Sequence, residues 1–99
     1  MNSIIRKYLR LLLFSFLLIF TINSKAEIDT YLKYYLQGMK FYDAKQYDLA
    51  IGNFDKAIEL KPTDWVLYLV KGIAALDSNK FELALEAFNK GVEIKPNVY

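Results

Sequence analysis

Three kinds of hydrophobic pattern occur along the chain. A nearly unbroken apolar run occupies residues 11–22. Two later segments, 47–58 and 81–92, place apolar residues on one side of a helix and polar residues on the other. The segments that precede them, 31–43 and 64–77, are also of helical length and are more uniformly apolar. The pattern therefore predicts an all-α chain.

The predicted helices have recognisable ends. Oxygen-bearing side chains that can accept the unpaired first-turn N–H groups precede two of them, namely Asp29 or Thr30 before 31–43 and Thr63 or Asp64 at the start of 64–77. Short polar links at 44–46 and 78–80 are expected to join the helices in pairs. Proline ends the second helix of each pair, and a lysine before it suits the negative end of the helix dipole; these residues are Lys61 with Pro62 and Lys95 with Pro96.

The two helix pairs are copies of one unit. A constant offset lays 31–64 over 65–98 without a gap. Ten positions are then identical: Tyr34/Tyr68, Gly38/Gly72, Asp43/Asp77, Leu49/Leu83, Ala50/Ala84, Phe54/Phe88, Lys56/Lys90, Glu59/Glu93, Lys61/Lys95 and Pro62/Pro96. A fixed period of this length is the signature of a repeat architecture.

The spacing of aromatic, small and proline residues in each unit resembles the tetratricopeptide repeat, which has the same period. The matching residues are Tyr34, Gly38, Phe41, Tyr47, Ala50, Phe54, Ala57 and Pro62 in the first unit, and Tyr68, Gly72, Ala75, Phe81, Ala84, Phe88, Gly91 and Pro96 in the second. Gln37 and Lys71 depart from the family by replacing its usual leucine. The resemblance implies two repeats, 31–64 and 65–98, stacked as a short right-handed α-solenoid.

Small residues recur at the same phase of both units. Gly38 with Ala50, and Gly72 with Ala84, lack bulk where the two helices of a hairpin must approach closely. A glycine inside a helix costs about 1 kcal/mol relative to alanine. Because the glycine recurs, we expect it to serve packing.

The resemblance further implies a concave groove lined by the first helix of each unit, which takes a peptide or a partner's helix. The helical phase assigns to it Leu32, Tyr35, Leu36, Met39, Tyr42, Val66, Leu69, Val70, Ile73 and Leu76. These residues suit an amphipathic or apolar protein segment. They lack the Lys, Arg and Asn with which some family members grip an acidic C-terminal tail. The alternative is that the same residues are simply core.

The helix at 64–77 is apolar nearly all round and needs covering on more than one side. Repeat stacks typically contain three or more units and end in a polar face. Three arrangements would satisfy this need: self-association as a homo-oligomer, docking onto a partner, or truncation of the reading frame from a longer repeat protein. The sequence leaves all three open.

Residues 1–26 have the layout of a secretory signal peptide: a basic start, an apolar stretch, and small residues before a cut. Ser24 and Ala26 would direct cleavage between Ala26 and Glu27, leaving 27–30 as a short leader. The hairpins would then be exported, as a periplasmic or secreted protein. The alternative is an uncleaved membrane anchor. The run 11–22 would span only about 18 Å, against roughly 30 Å of hydrocarbon core.

The net charge of +2 depends on this segment. Thirteen basic and eleven acidic residues give +2; without Arg6, Lys7, Arg10 and Lys25 the remainder has nine and eleven, hence −2. The basic isoelectric point therefore gives no reason to expect nucleic acid as a partner. A membrane is a partner only if the N-terminal segment is retained.

Candidate chemistry is sparse. The chain has no cysteine and no histidine, which excludes disulfides, thiolate or imidazole metal ligands and the commonest general base. The carboxylates fall on polar helix faces or at turns, and the glycines do not form a phosphate-binding loop. We expect no enzymatic activity, no metal and no cofactor. The sequence predicts a protein-binding module, or alternatively a membrane-anchored structural subunit of an envelope complex.

Overall fold

A computed structural model describes residues 2–95, apart from the side chain of Asn23. It contains four α-helices: α1 (Asn2–Asp43), α2 (Tyr47–Leu60), α3 (Trp65–Asp77) and α4 (Phe81–Ile94). The described residues form no strand, which confirms the all-α prediction. Each helix packs against the next along the chain, so α1 with α2 and α3 with α4 form two hairpins joined through α2 and α3.

The start of the first repeat helix was predicted wrongly. Asp29 and Thr30 do not cap a helix at 31, because α1 runs without interruption from Asn2. The hydroxyl of Thr30 instead donates to the carbonyl of Ala26, 2.8 Å away, inside the helix. No glycine or proline occurs before Gly38. Nothing local therefore breaks the helix, and the predicted leader 27–30 is helical too.

The other predicted helix ends agree with the structure. Asp64 is the N-cap of α3, since its Oδ1 accepts a hydrogen bond from the backbone N–H of Val66 at 3.1 Å. The helix α2 ends at Leu60, just before the C-cap Lys61. Lys95 is the corresponding C-cap of α4. The second predicted stop, Pro96, and the end of the second repeat at 98 lie outside the described residues.

Both links have the same backbone geometry. Lys45 and Asn79, which occupy equivalent positions in the two units, have positive φ values of 61° and 63°. The next amide in each link reaches back 2.8 Å to a helix carbonyl: Gln46 to Phe41, and Lys80 to Ala75. One residue in the left-handed conformation thus ends α1 and another ends α3. The hydrogen bonds satisfy carbonyls that would otherwise be unpaired at the C-terminal ends of these helices. The repeat in sequence is therefore a repeat in backbone conformation.

Each hairpin is closed by an aromatic ring placed over a glycine. A Cβ built on Gly38 would lie 2.5 Å from Cε1 of Phe54, and one on Gly72 would lie 2.5 Å from Cε1 of Phe88. No real side chain tolerates that distance, so only glycine allows the ring to approach the helix this closely. The packing role predicted for the two glycines agrees with these contacts.

The core lies between the two hairpins. Its buried members are contributed by α2, α3 and α4; they are Ala50, Ile51, Phe54, Ala74, Ala75 and Ala84. Most are alanines, which allow the helices to pack closely. Phe54 and Leu67 are the largest fully buried side chains. The second hairpin thus covers the first, whereas the outer side of α4 is left open.

The glycine contact predicts opposite effects of one substitution at two helical positions. Gly38→Ala gains about 1 kcal/mol in helix propensity but forces the fully buried Phe54 ring to move, with an overpacking cost of typically about 1–3 kcal/mol. We expect a net loss of up to about 2 kcal/mol in the free energy of unfolding. Gly52→Ala, where a Cβ meets nothing within 4 Å, should stabilise by up to about 1 kcal/mol.

Denaturant unfolding of the full chain, followed by helical circular dichroism, measures both effects. Gly72→Ala should cost less than Gly38→Ala because Phe88 is only half-buried and its ring can move outward. If Gly38→Ala proved as stabilising as Gly52→Ala, the ring would not lie against the glycine.

Candidate groove on helices α1 and α3

The ten predicted groove residues lie on α1 and α3, five on each helix. Five of them are exposed apolar side chains: Leu32 (43%), Leu36 (60%), Leu69 (38%), Ile73 (36%) and Leu76 (45%). The other five are half-buried: Tyr35, Met39, Tyr42, Val66 and Val70. The groove is therefore a surface of apolar side chains, about half of which remain accessible to a partner. Partner binding by these residues stays a prediction.

Four of the half-buried residues also support the core. Tyr35, Met39, Tyr42 and Val70 pack against the buried cluster, and the Tyr35 ring lies 6.3 Å from that of Phe54, centroid to centroid. These four residues connect the exposed groove residues to the core. For these four residues, the alternative prediction that the groove positions belong to the core is therefore partly correct.

Two tyrosines bind α1 to α3, one near each end of α3. The hydroxyl of Tyr31 donates to Oδ2 of Asp64 at 2.6 Å, next to the first turn of α3. The hydroxyl of Tyr42 donates to Asp77, the last residue of α3. The two helices that carry the groove are thus held side by side at both ends. Neither hydrogen bond follows from the repeat pattern, and neither was predicted.

The electrostatics at these ends favour neutral tyrosines. Burial, together with the hydrogen bond to the Asp64 carboxylate and its negative charge, raises the pKa of Tyr31 to about 12. The hydrogen bond to Asp77 is the main cause that raises the pKa of Tyr42. Ionising either tyrosine would place its charge next to a carboxylate. Both groups therefore hold the helices together and have no reason to ionise near neutral pH.

A cation lies over an aromatic ring at the same place in each hairpin. Nζ of Lys61 is 4.3 Å from the centroid of the Tyr31 ring, and Nζ of Lys95 is 5.1 Å from that of Trp65. The two pairs occupy equivalent positions in the aligned units. Such contacts contribute about 0.5–1 kcal/mol at exposed sites. They attach the C-terminal end of α2 to Tyr31 within α1, and the C-terminal end of α4 to Trp65 at the start of α3.

The outer side of α4 contributes none of the predicted groove residues. Phe81, Leu85 and Val92 of α4 are 58%, 62% and 74% exposed, although the sequence pattern places them on an apolar stripe. A cleft of about 300 Å³ adjoins them, lined by Trp65, Leu69, Phe88, Gly91, Val92 and Lys95. Leu69 thereby connects the groove to this open side. The absence of a third helix pair within the described residues was the available signal.

The N-terminal half of α1 is the other large apolar surface. Its hydrophobic side chains from Ile4 to Ile22 are all strongly exposed, from 53% at Leu18 to 68% at Phe16. By length and composition, α1 is the helix in the described chain that could cross a membrane. A signal sequence near the N-terminus passes the same test. The basic residues Arg6, Lys7 and Arg10 lie next to one another on the surface near the start of α1.

Within residues 2–95, the structure brings together no group of three or more acidic, histidine or cysteine side chains. The carboxylates of Asp64 and Asp77 are engaged by tyrosines. Others pair with lysines, as Asp55 does with Lys71 at 2.7 Å and Asp48 with Lys80 at 2.6 Å. The arrangement can present surfaces to a partner, and its polar contacts join one helix to another.

The Tyr31 contact predicts a pH dependence of stability. The folded pKa is raised from 10 to about 12, so this contribution is complete below pH 10 and is lost as the pH rises through 12. Tyr31→Phe should lower the free energy of unfolding by about 1 kcal/mol at neutral pH. The difference between the two proteins should shrink as the pH rises from 10 towards 12.

Parallel denaturation series from neutral pH to pH 12 measure that difference. Tyr34→Phe is the matched control, because the Tyr34 ring lies under Nζ of Lys56 and not beside Asp64. A difference between Tyr31→Phe and the unmodified chain that stayed constant over this range would show that the hydroxyl does not donate to Asp64.

Comparison with known proteins gives one family. Residues 67–98 match the family model described as tetratricopeptide repeat. No curated protein and no solved structure matches the chain. The matched segment contains α4 and nearly all of α3, and begins two residues after the predicted start of the second repeat. That residues 31–64 form a first repeat of the same family stays a prediction, although α1 and α2 pair with the same ring-over-glycine contact. The family match and the helical hairpin that carries it show that residues 67–98 of this chain are similar to a tetratricopeptide repeat.

Proposed function

We propose that this chain is a non-catalytic binding protein that takes an apolar or amphipathic helical segment of another protein into the groove on α1 and α3. Tetratricopeptide repeats typically mediate protein interactions, and this family property supports binding in general. The more specific proposal depends on one observation: five apolar side chains of the groove remain exposed on two helices that are fixed side by side.

The chemistry of the exposed groove residues defines the partner. All five are Leu or Ile, so the groove offers area to apolar side chains and no charge to a carboxylate. Exposed apolar patches on a soluble surface commonly mark interaction sites. A helix with apolar residues at i, i+3, i+4 and i+7 presents a matching stripe. The half-buried Met39 can adapt to the shape of such a stripe.

A direct test uses the full chain in lipid nanodiscs and a fluorescently labelled amphipathic helical peptide with leucines at that spacing. Leu36→Glu and Ile73→Glu should each weaken binding at least tenfold, about 1.4 kcal/mol, because each places a charge in the apolar contact. Both positions are exposed, so the fold should persist. Fluorescence anisotropy gives the dissociation constants, with empty nanodiscs subtracted.

Glu86→Lys is the matched control, since it changes an exposed charge on the polar side of α4. Met39→Glu is less informative because Met39 packs against the core. Equal affinity of the unmodified chain, Leu36→Glu, Ile73→Glu and Glu86→Lys for the peptide would reject the groove. So would preference for a peptide with an acidic C-terminal tail.

A second candidate function is that of a membrane-anchored subunit, favoured by the continuity of α1. The predicted cut between Ala26 and Glu27 falls inside this helix, whereas proteolytic sites concentrate in exposed, non-helical chain. The strongly exposed apolar side chains from Ile4 to Ile22 require a non-aqueous environment. Arg10 and Lys25 flank the apolar run and can extend towards the headgroups, which offsets its short length.

Both candidates place the hairpins on the same side of the membrane. Basic residues concentrate before the apolar run, with Arg6, Lys7 and Arg10 against the single Lys25 after it. Segments rich in Lys and Arg stay in the cytoplasm. The N-terminus is therefore expected inside and the hairpins outside, whether the helix is retained or removed.

Intact mass of the chain purified from cells separates the two candidates. Loss of residues 1–26 supports an exported free protein, and the full 11.6 kDa supports an anchored one. Ala26→Lys is the control, because a bulky charged residue at the cut site should block removal while leaving an anchor unaffected. Full-length protein in the soluble cytoplasmic fraction would contradict export and anchoring alike.

A further inference from the structure

The outer side of α4 corresponds to a side of α2 that is covered. The alignment of the two units pairs Ile51 with Leu85 and Ile58 with Val92. Ile51 is 7% exposed because α3 packs over it, whereas Leu85 is 62% exposed. Ile58 is half-buried, whereas Val92 is 74% exposed. We define the α4 end face as Phe81, Leu85, Phe88 and Val92, the residues that would be covered if another helix packed there as α3 packs on α2.

The opposite end of the stack, formed by α1, is not chemically complementary to the α4 end face. The helix α3 covers α2 with the side that carries Leu67, Lys71 and Ala74; Lys71 pairs with Asp55 of α2, and Ala74 joins the cluster that contains Ile51. Leu67 and Ala74 are fully buried. Their equivalents on α1 are Lys33 and Lys40, both exposed. A second copy stacked head to tail would bury two lysines against Leu85 and Val92, which is strongly unfavourable.

We propose that the α4 end face binds the α4 end face of a second copy of this chain, as a two-fold symmetric dimer. In that arrangement each apolar residue meets an apolar partner, and Lys33 and Lys40 remain in solvent at the two far ends. A two-fold contact uses the same patch twice and closes on itself. The polar α1 side then prevents further growth, so the assembly stops at two copies.

The dimer also covers the cleft beside Trp65. That cleft opens between Leu69 and Val92, and it is lined mainly by apolar atoms of α3 and α4. A helix packed on the α4 end face lies across its mouth. Dimerisation would therefore cover Leu69 of the groove, whereas the exposed groove residues Leu32 and Leu36 of α1 lie on the first hairpin and stay accessible to a partner.

The lack of cysteine in the chain permits a clean crosslinking test. Asn89 is the equivalent of Asp55, the residue that touches the covering helix in the first hairpin, so it marks the rim of the α4 end face. The full chain carrying Asn89→Cys, in nanodiscs, should form a crosslinked dimer with a long, flexible thiol-reactive bismaleimide, which can reach between two rim positions across the two-fold axis. Adding Leu85→Glu should reduce that dimer at least tenfold.

Glu59→Cys on α2 is the matched control for random collision, since it is exposed and lies away from the face. Helical circular dichroism verifies that Leu85→Glu, at an exposed position, remains folded. A crosslink formed only when Asn89→Cys is mixed with Lys33→Cys would show head-to-tail stacking and overturn the proposal. Absence of any crosslink above the Glu59→Cys level would overturn it as well, and would assign the face to a different protein or a further repeat.

Discussion

The close contact between a phenylalanine ring and a glycine fixes the geometry of each hairpin. Phe54 over Gly38 and Phe88 over Gly72 bring the paired helices so near that no Cβ fits between them. The surrounding alanines allow the same closeness between hairpins, and α3 can then lie over α2 with Ile51 beneath it. The side of each first helix turned away from its hairpin partner is what remains for a binding partner. The groove is thus a consequence of how the hairpins close.

Because one unit is used twice, the two hairpins show what packing does to equivalent patterns. The first is covered by the second, and its apolar stripe is buried; the second has no described neighbour, and the same stripe faces solvent. The ends of the stack also differ, since α1 presents lysines where α3 presents Leu67 and Ala74. This asymmetry gives the molecule a polar end and an apolar end. The groove, the α4 end face and the N-terminal helix are therefore three apolar surfaces with distinct requirements for a partner.

Periodicity made the second hairpin, the links and the roles of Gly38 and Gly72 predictable, because those features depend on residues within one repeat unit. The N-terminal end of the first helix was not predictable in the same way. Asp29 and Thr30 are good capping residues, but with no glycine or proline nearby the helix continues through them. Contacts between units, such as Tyr42 with Asp77, depend on how the hairpins stack, which no single unit encodes. For the predicted groove, phase placed the residues on α1 and α3, but only the packing separated exposed Leu36 from core-supporting Met39.

The most direct test of this account is a double-mutant cycle between Gly38 and Phe54, measured as free energies of unfolding for Gly38→Ala, Phe54→Leu, the double variant and the unmodified chain. If the ring lies on the glycine, the smaller leucine should relieve the added methyl group. Gly38→Ala should then cost at least about 1 kcal/mol less in the Phe54→Leu background. Costs that add within about 0.5 kcal/mol would show that the two residues do not touch, and the hairpin geometry from which every surface here follows would be wrong.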